Sequence, residues 1–203
     1  MDWYKTLLEA CVDSLAQALR AEEQGADRIE LCADLSVGGL TPSRELIESA
    51  QAQLSIPIMV MIRPRAGDFC YTAKEIEQML ASIAFCKTVG VAGVVFGITD
   101  ADNNLDISAI AQPTAAAAPL LVTIHKAIDT VNDPLQDLEK LLAVNGIQRV
   151  LTSGVAETAE AGQATLRQML ELAGDRITIL AAGKVTDENR EHLHQKIGAR
   201  EYH

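Results

Sequence analysis

A carboxylate and a thiol recur two residues apart in two apolar segments of the sequence. Glu9 and Cys11 lie in the segment LLEACV, and Glu30 and Cys32 lie in the segment RIELC. Residues two apart in a β-strand point to the same face of a sheet. If the two segments are neighbouring strands, two carboxylates and two thiols therefore share one wall.

The elements that would position these groups alternate regularly along the chain. Short apolar runs typical of strands are TLLEACV, DRIELC, IPIMVMIR, AGVVFGI, PLLVTIHKA, QRVLTSG, ITILAAG and the last fragment REYH. The segments between them predict helices over about 13–25, 43–54, 73–90, 106–117, 134–145, 157–174 and 187–197. Seven βα units and an eighth strand favour an α/β fold, a TIM (β/α)8-type barrel, over an open doubly wound sheet. We expect one such domain over residues 1–203.

Composition narrows the classes of partner and location. The chain has 203 residues, of which 48% are hydrophobic, so it can bury a full core. Its net charge of -11 argues against nucleic acid as a partner. No basic leader precedes an apolar segment, and no apolar run approaches the roughly 20 residues of a membrane helix. We therefore expect a cytoplasmic protein without a membrane partner, whose four cysteines remain thiols.

The last residues of the sequence bear on assembly. The chain ends at His203, in or just after the eighth predicted strand, so the predicted barrel lacks its final helix. Apolar surface on strands eight and one would then need a cover. We expect a homo-oligomer, most simply a dimer, although Trp3 and Tyr4 folding over the gap is an alternative.

Strand parity selects the residues that face the interior of the predicted barrel. Arg63 shares its parity with Met59 and Met61 in the third strand, and His125 ends the fifth strand. Charged groups are costly to bury singly, so Glu9 and Glu30 are expected to pair with arginine. Such a set can be a structural ion-pair network. It can also be an acid–base site, in which Arg63 anchors a carboxylate or phosphate and His125 or Glu30 moves a proton.

The two thiols suggest a different chemistry. Copper(I) is a soft ion that prefers thiolate ligands, and Cys11 and Cys32 would supply two of them. The sulfurs of Met59 and Met61 could assist. Alternatively, both cysteines are small buried residues that only fill space, as free cysteines commonly are.

Longer blocks of the sequence resemble a known family. The segments GADRIELCADLSVGGLTPS, VMIRPRAGDFCYT, VGVAGVVFGI, VTIHKAID and RVLTSG are similar to the conserved blocks of the CutC family of copper homeostasis proteins, in the same order. The resemblance implies a TIM barrel, a cytoplasmic location and copper(I) binding by Cys11 and Cys32. The alternative is a barrel enzyme that acts on a small anionic metabolite through Glu9, Glu30, Arg63 and His125.

Overall fold

Eight parallel strands form a closed barrel in which each strand pairs with its neighbours in chain order. The computed structural model describes residues 6–203, so Trp3 and Tyr4 lie outside the described residues. The strands are β1 (Leu7–Val12), β2 (Arg28–Leu31), β3 (Ile58–Met61), β4 (Gly93–Phe96), β5 (Leu121–Ile124), β6 (Arg149–Thr152), β7 (Thr178–Ala181) and β8 (Glu201–Tyr202). The pairing of Leu7 with Glu201 closes the barrel. The predicted TIM-type barrel is confirmed, whereas the single domain over 1–203 stays a prediction.

Helices follow the first seven strands of the described chain. They are α1 (Leu15–Glu23), α2 (Arg44–Gln53), α3 (Ala73–Val89), α4 (Ile107–Ala117), α5 (Pro134–Leu141), α6 (Gln163–Ala173) and α7 (Arg190–Ile197). Side-chain caps begin several of them: Thr72 accepts a hydrogen bond from Glu75 N, and the Glu75 carboxylate accepts one from Thr72 N. In residues 6–203, no helix is both long and apolar enough to cross a membrane.

The prediction for the sixth helix was wrong at its beginning. The helix was expected from about residue 157, but α6 begins at Gln163. The Ser153 hydroxyl donates to Ala156 O at 2.6 Å, which ties the preceding segment into a loop. Gly162 then packs so closely on this loop that a Cβ atom there would lie 1.9 Å from Ser153 O. Helical periodicity in the sequence cannot reveal such a tertiary contact.

The two faces of the barrel strands differ in character. The outward face is aliphatic and forms one core with the helices, which includes Leu31 and Val60 of the strands and Ile47 and Ile83 of the helices. The inward face mixes sulfur-containing, charged and small residues, and Met59 and Met61 belong to the same buried cluster as Cys32. This separation confirms the interior placement that strand parity predicted.

Candidate functional site

The two predicted thiols lie next to each other at the carboxyl end of the barrel. Cys11 is the penultimate residue of β1 and Cys32 directly follows β2. Their Sγ atoms are 3.8 Å apart. Cys32 is fully buried, whereas Cys11 is partly exposed, so the pair is reached from the side of Cys11. Both cysteines are free thiols.

A glycine loop covers the buried thiol. Gly39 follows the short 3-10 helix Leu35–Val37, and its φ of +86° lies in the left-handed region that favours glycine. A Cβ atom at Gly39 would lie 3.0 Å from Cys32 Sγ. The loop after β2 can therefore approach the sulfur closely only because this residue has no side chain.

The surroundings favour the protonated form of both thiols. The hydrogen bond with Cys32, burial and the charge of Glu30 together raise the pKa of Cys11 far above the usual range. For Cys32, the hydrogen bond with Cys11 lowers the pKa, but burial and the charges of Glu30 and Glu9 outweigh it and the pKa is raised. A metal ion bound here must therefore displace protons from the sulfurs.

An ion-pair network fills the barrel interior below the thiols. Arg28 is 2% exposed and lies between two carboxylates, bonding to Glu9 through Nε and to Glu201 Oε2 through Nη2 at 2.6 Å. Arg149 Nε donates to the same Glu201 oxygen at 2.8 Å. These contacts join the beginnings of β2, β6 and β8, so part of the charged set has the structural role that one interpretation of the sequence predicted.

The upper part of the network contains a histidine. His203 Nε2 lies 2.8 Å from Glu30 Oε2 and 3.9 Å from Glu9 Oε1. Burial alone would lower the pKa of His203, but the charge of Glu30 and hydrogen bonds with Cys11 and Glu30 raise it well above 6.5, which favours the protonated ring at neutral pH. Burial opposes ionisation of Glu30, yet His203 outweighs it and the Glu30 pKa is lowered. Burial raises the pKa of Glu9.

Sequence reasoning missed Arg28, Arg149, Glu201 and His203 as residues of this site. The signal for two of them was present in the sequence. Glu201 begins β8 and His203 directly follows the strand, so a carboxylate and a second polar group lie two residues apart, as in Glu9 and Cys11. The two arginines are each the first residue of a strand and face the same interior.

Arg63 lies at the barrel mouth but is largely engaged in holding loops. Its Nη1 donates to Val37 O at 2.8 Å and to Gly39 O at 3.0 Å, and its Nη2 donates to Gly67 O at 2.9 Å. The guanidinium also lies over the Phe69 ring at 5.0 Å. The Nε atom of Arg63 is buried and has no hydrogen-bond partner among the described residues. The role of Arg63 as an anion anchor therefore stays a prediction, with few donors free for it.

His125 is buried at the same mouth and is neutral. Its Nδ1 accepts a hydrogen bond from Ala127 N at 3.1 Å, which places the proton on Nε2. Burial lowers the pKa of His125 to about 4, and the ring packs against Phe69 at 4.7 Å. Among the described residues, Nε2 has no hydrogen-bond partner.

A cavity of about 430 Å³ opens at Arg63 and at Phe69, the ring on which His125 packs. It is lined by Arg63, Phe69, Lys126 and Ser153, among others, and by none of the thiols or interior glutamates. The Asp129 carboxylate in its wall accepts a hydrogen bond from Ser153 N at 2.9 Å, and its Oδ2 also lies 2.9 Å from Ser153 Oγ. The mouth cavity and the thiol pair are thus neighbouring but separate places, linked by the contact of Arg63 with Gly39.

The architecture defines a TIM-barrel protein whose interior carries a thiol pair above a buried network of charges. A sequence model of the CutC family matches residues 6–203, and the chain belongs to the CutC family. The resemblance noted from the sequence blocks is therefore confirmed.

Individual relatives support the same assignment. A human protein named copper homeostasis protein cutC homolog is 44% identical over 197 residues, covering 97% of this chain and 72% of the human chain. A family protein CutC from Mesorhizobium japonicum is 41% identical over 211 residues, covering 100% of this chain and 81% of the relative. The crystal structure of a CutC protein from Streptococcus agalactiae superposes with a TM-score of 0.92 at 32% identity, covering 98% and 97% of the two chains. An aldolase at 12% identity and a TM-score of 0.72 shares the fold alone.

Proposed function

We propose that this protein acts in copper homeostasis by binding copper(I) between Cys11 and Cys32. The observation that carries the proposal is the distance of 3.8 Å between the two sulfurs. Two metal–sulfur bonds of about 2.3 Å place the sulfurs about 4.6 Å apart in a linear site and about 4.0 Å apart at an angle of about 120°. A shift of less than about 1 Å therefore suffices for either geometry.

The environment of the thiols suits a soft monovalent cation. Met59 and Met61 pack in the same interior cluster as Cys32, so polarisable thioether sulfurs surround the pair. The buried carboxylate of Glu30 adds negative charge beside them. The names of the human and mouse relatives, copper homeostasis protein cutC homolog, point to the same cargo.

An anaerobic competition titration with a copper(I) chelator tests this proposal. We expect one copper(I) per chain in the wild-type protein and loss of tight binding in Cys11→Ser/Cys32→Ser. The matched control is Cys70→Ser, because Cys70 is an exposed thiol in a loop and should leave binding unchanged. Equal copper affinity of the double variant and the wild-type protein would contradict the proposal.

An enzyme acting on a small carboxylate or phosphate is the second candidate. The observation that favours it is the mouth cavity of about 430 Å³, beside which the buried Arg63 Nε and His125 Nε2 are unpartnered. In this candidate Arg63 anchors the anion, and His125, which packs on the lining residue Phe69, donates a hydrogen bond from Nε2. Glu30 and Glu9 do not line this cavity, so acid–base chemistry by either requires a substrate that extends into the barrel interior. Thermal-shift screening against small anions, repeated with Arg63→Met, tests it; the Cys11→Ser/Cys32→Ser variant should bind the same anions as the wild-type protein.

The remaining parts of the proposal concern location and assembly. We place the protein in the cytoplasm, where cysteines stay reduced and can bind copper(I). We also propose a homodimer. Light scattering of the purified chain tests the assembly, and a stable monomer at high concentration would contradict it.

A further inference from the structure

We propose a second metal site inside the barrel, in which Glu9, Glu30 and His203 bind a divalent transition-metal cation such as Zn²⁺. The site adjoins the thiol pair, because Glu30 also lies within 4.8 Å of both sulfurs, but neither sulfur is a ligand in this proposal. It goes beyond the copper proposal and does not depend on it.

The three donors already have a suitable spacing. One atom from each residue lies within 4.8 Å of the others, with His203 Nε2 at 2.8 Å from Glu30 Oε2 and at 3.9 Å from Glu9 Oε1. Bonds of about 2.0–2.2 Å to zinc separate neighbouring donors by about 3–4 Å. The carboxylates and the imidazole can therefore meet one cation with small side-chain movements.

Two unpartnered oxygens point to a ligand at this place. Glu9 and Glu30 are each 2% exposed, and within residues 6–203 the Oε1 atom of each has no hydrogen-bond partner. The other oxygen of each carboxylate is engaged, by Arg28 for Glu9 and by His203 for Glu30. A buried carboxylate oxygen without a partner is costly, and a cation that accepts its lone pair removes that cost.

The chemistry of the donors selects the class of cation. Two carboxylates and one imidazole suit borderline divalent ions such as Zn²⁺, whereas copper(I) prefers the thiolates above. The two carboxylates balance the charge of the cation. When the metal binds, the proton on His203 Nε2 leaves to solvent and the nitrogen lone pair takes its place.

Anaerobic titration with Zn²⁺ and with Co²⁺ as a spectroscopic probe tests the site in the full chain. We expect the wild-type protein and Cys11→Ser/Cys32→Ser to bind Zn²⁺ equally. Glu9→Gln should weaken Zn²⁺ binding by at least about 100-fold, since changes in outer-shell residues alone cost about 10- to 100-fold. Bound Co²⁺ should show ligand-field bands without a sulfur-to-cobalt charge-transfer band.

The controls separate a lost ligand from a lost fold. Glu157→Gln removes an exposed carboxylate near the barrel mouth and should bind Zn²⁺ as the wild-type protein does. If Glu9→Gln does not fold, as judged by circular dichroism, His203→Asn replaces it. Absence of Zn²⁺ binding by the wild-type protein, a sulfur-to-cobalt band, or loss of Zn²⁺ binding in Cys11→Ser/Cys32→Ser would each overturn the proposal. Copper(I) binding by Glu9→Gln should persist, so the two metal proposals can fail separately.

Discussion

The neutral, buried His125 should make the protein lose stability on acidification. Burial lowers the pKa of His125 to about 4, whereas the same side chain in the unfolded chain titrates near its ordinary value of about 6.5. As the pH falls below about 7, the unfolded chain binds this proton first, so the equilibrium shifts towards unfolding. The contribution of His125 to stability is therefore fully present above about pH 6.5, the pKa in the unfolded chain, and is lost as the pH falls towards about 4, the pKa in the folded chain.

The size of the effect follows from the two pKa values. Integrating proton uptake between pH 7.5 and pH 4.5 gives a loss of about 2.5 kcal/mol from His125 alone, of which about 1.4 kcal/mol has already occurred at pH 5.5. The variant His125→Asn removes the titrating ring, while its side-chain oxygen can still accept the hydrogen bond from Ala127 N. It loses the packing against Phe69 and should be less stable at pH 7.5 by about 1–3 kcal/mol.

Urea unfolding of both proteins at pH 7.5, 5.5 and 4.5 measures the difference. Carboxylates common to both proteins contribute equally, so the gap in unfolding free energy should narrow by about 2.5 kcal/mol between the extremes. His192→Asn, which changes an exposed ring of α7, should follow the wild-type profile. Parallel pH profiles of the wild-type protein and His125→Asn, or an NMR titration midpoint of His125 near 6.5, would refute the reasoning.

Three further predictions concern the thiols, the ion pairs and a loop. Both thiols are protonated at neutral pH, so copper(I) must displace two protons when it binds. Its association constant should therefore rise about 100-fold per pH unit between about pH 6 and pH 8. An association constant that does not change with pH in competition titrations would contradict this. Arg28→Met should reduce the unfolding free energy by about 3–5 kcal/mol, since it leaves a buried carboxylate poorly paired. In urea unfolding, the double variant Arg28→Met/Glu9→Gln should be more stable than Arg28→Met alone. If the two substitutions instead lower the unfolding free energy additively, the ion pair between Arg28 and Glu9 does not contribute to stability. Gly162→Ala should lower the unfolding free energy by about 1–3 kcal/mol or more, because its Cβ would lie 1.9 Å from Ser153 O. An unchanged melting temperature would contradict this prediction.

The barrel and the thiol pair could be predicted from the sequence because both depend on short-range rules. Alternation of apolar runs with helical segments specifies parallel strands, and the two-residue period puts Cys11 on the same face as Glu9. Parallel pairing of β1 with β2, with Cys11 opposite Glu30, then brings the second thiol to the first. Interior sulfur contacts with Met59 and Met61 follow from the same parity.

The partners of the charged groups could not be predicted in the same way. Arg28 contacts Glu201, 173 residues away, and His203 contacts Glu30 over the same separation. These contacts exist because the barrel closes between β1 and β8, which puts β2 and β8 on the two sides of β1. Strand parity alone does not say which residues of β2 and β8 lie at the same level. The carbonyl oxygens that engage Arg63 belong to loops whose conformation depends on tertiary packing.

The two proposed metal sites are close enough for binding at one to change the affinity of the other. Copper(I) that displaces two thiol protons adds one negative charge beside Glu30, because two positive charges leave and one enters. A divalent cation that displaces the His203 proton adds one positive charge at the adjoining site. At the short separation between these sites, opposite changes in charge attract, so occupancy of either site should strengthen binding at the other. If Glu30 instead gave its free oxygen to the copper ion, the two cations would share a ligand and the coupling would reverse its sign. Titrating copper(I) with and without Zn²⁺ therefore distinguishes a pure thiolate site from one that includes Glu30.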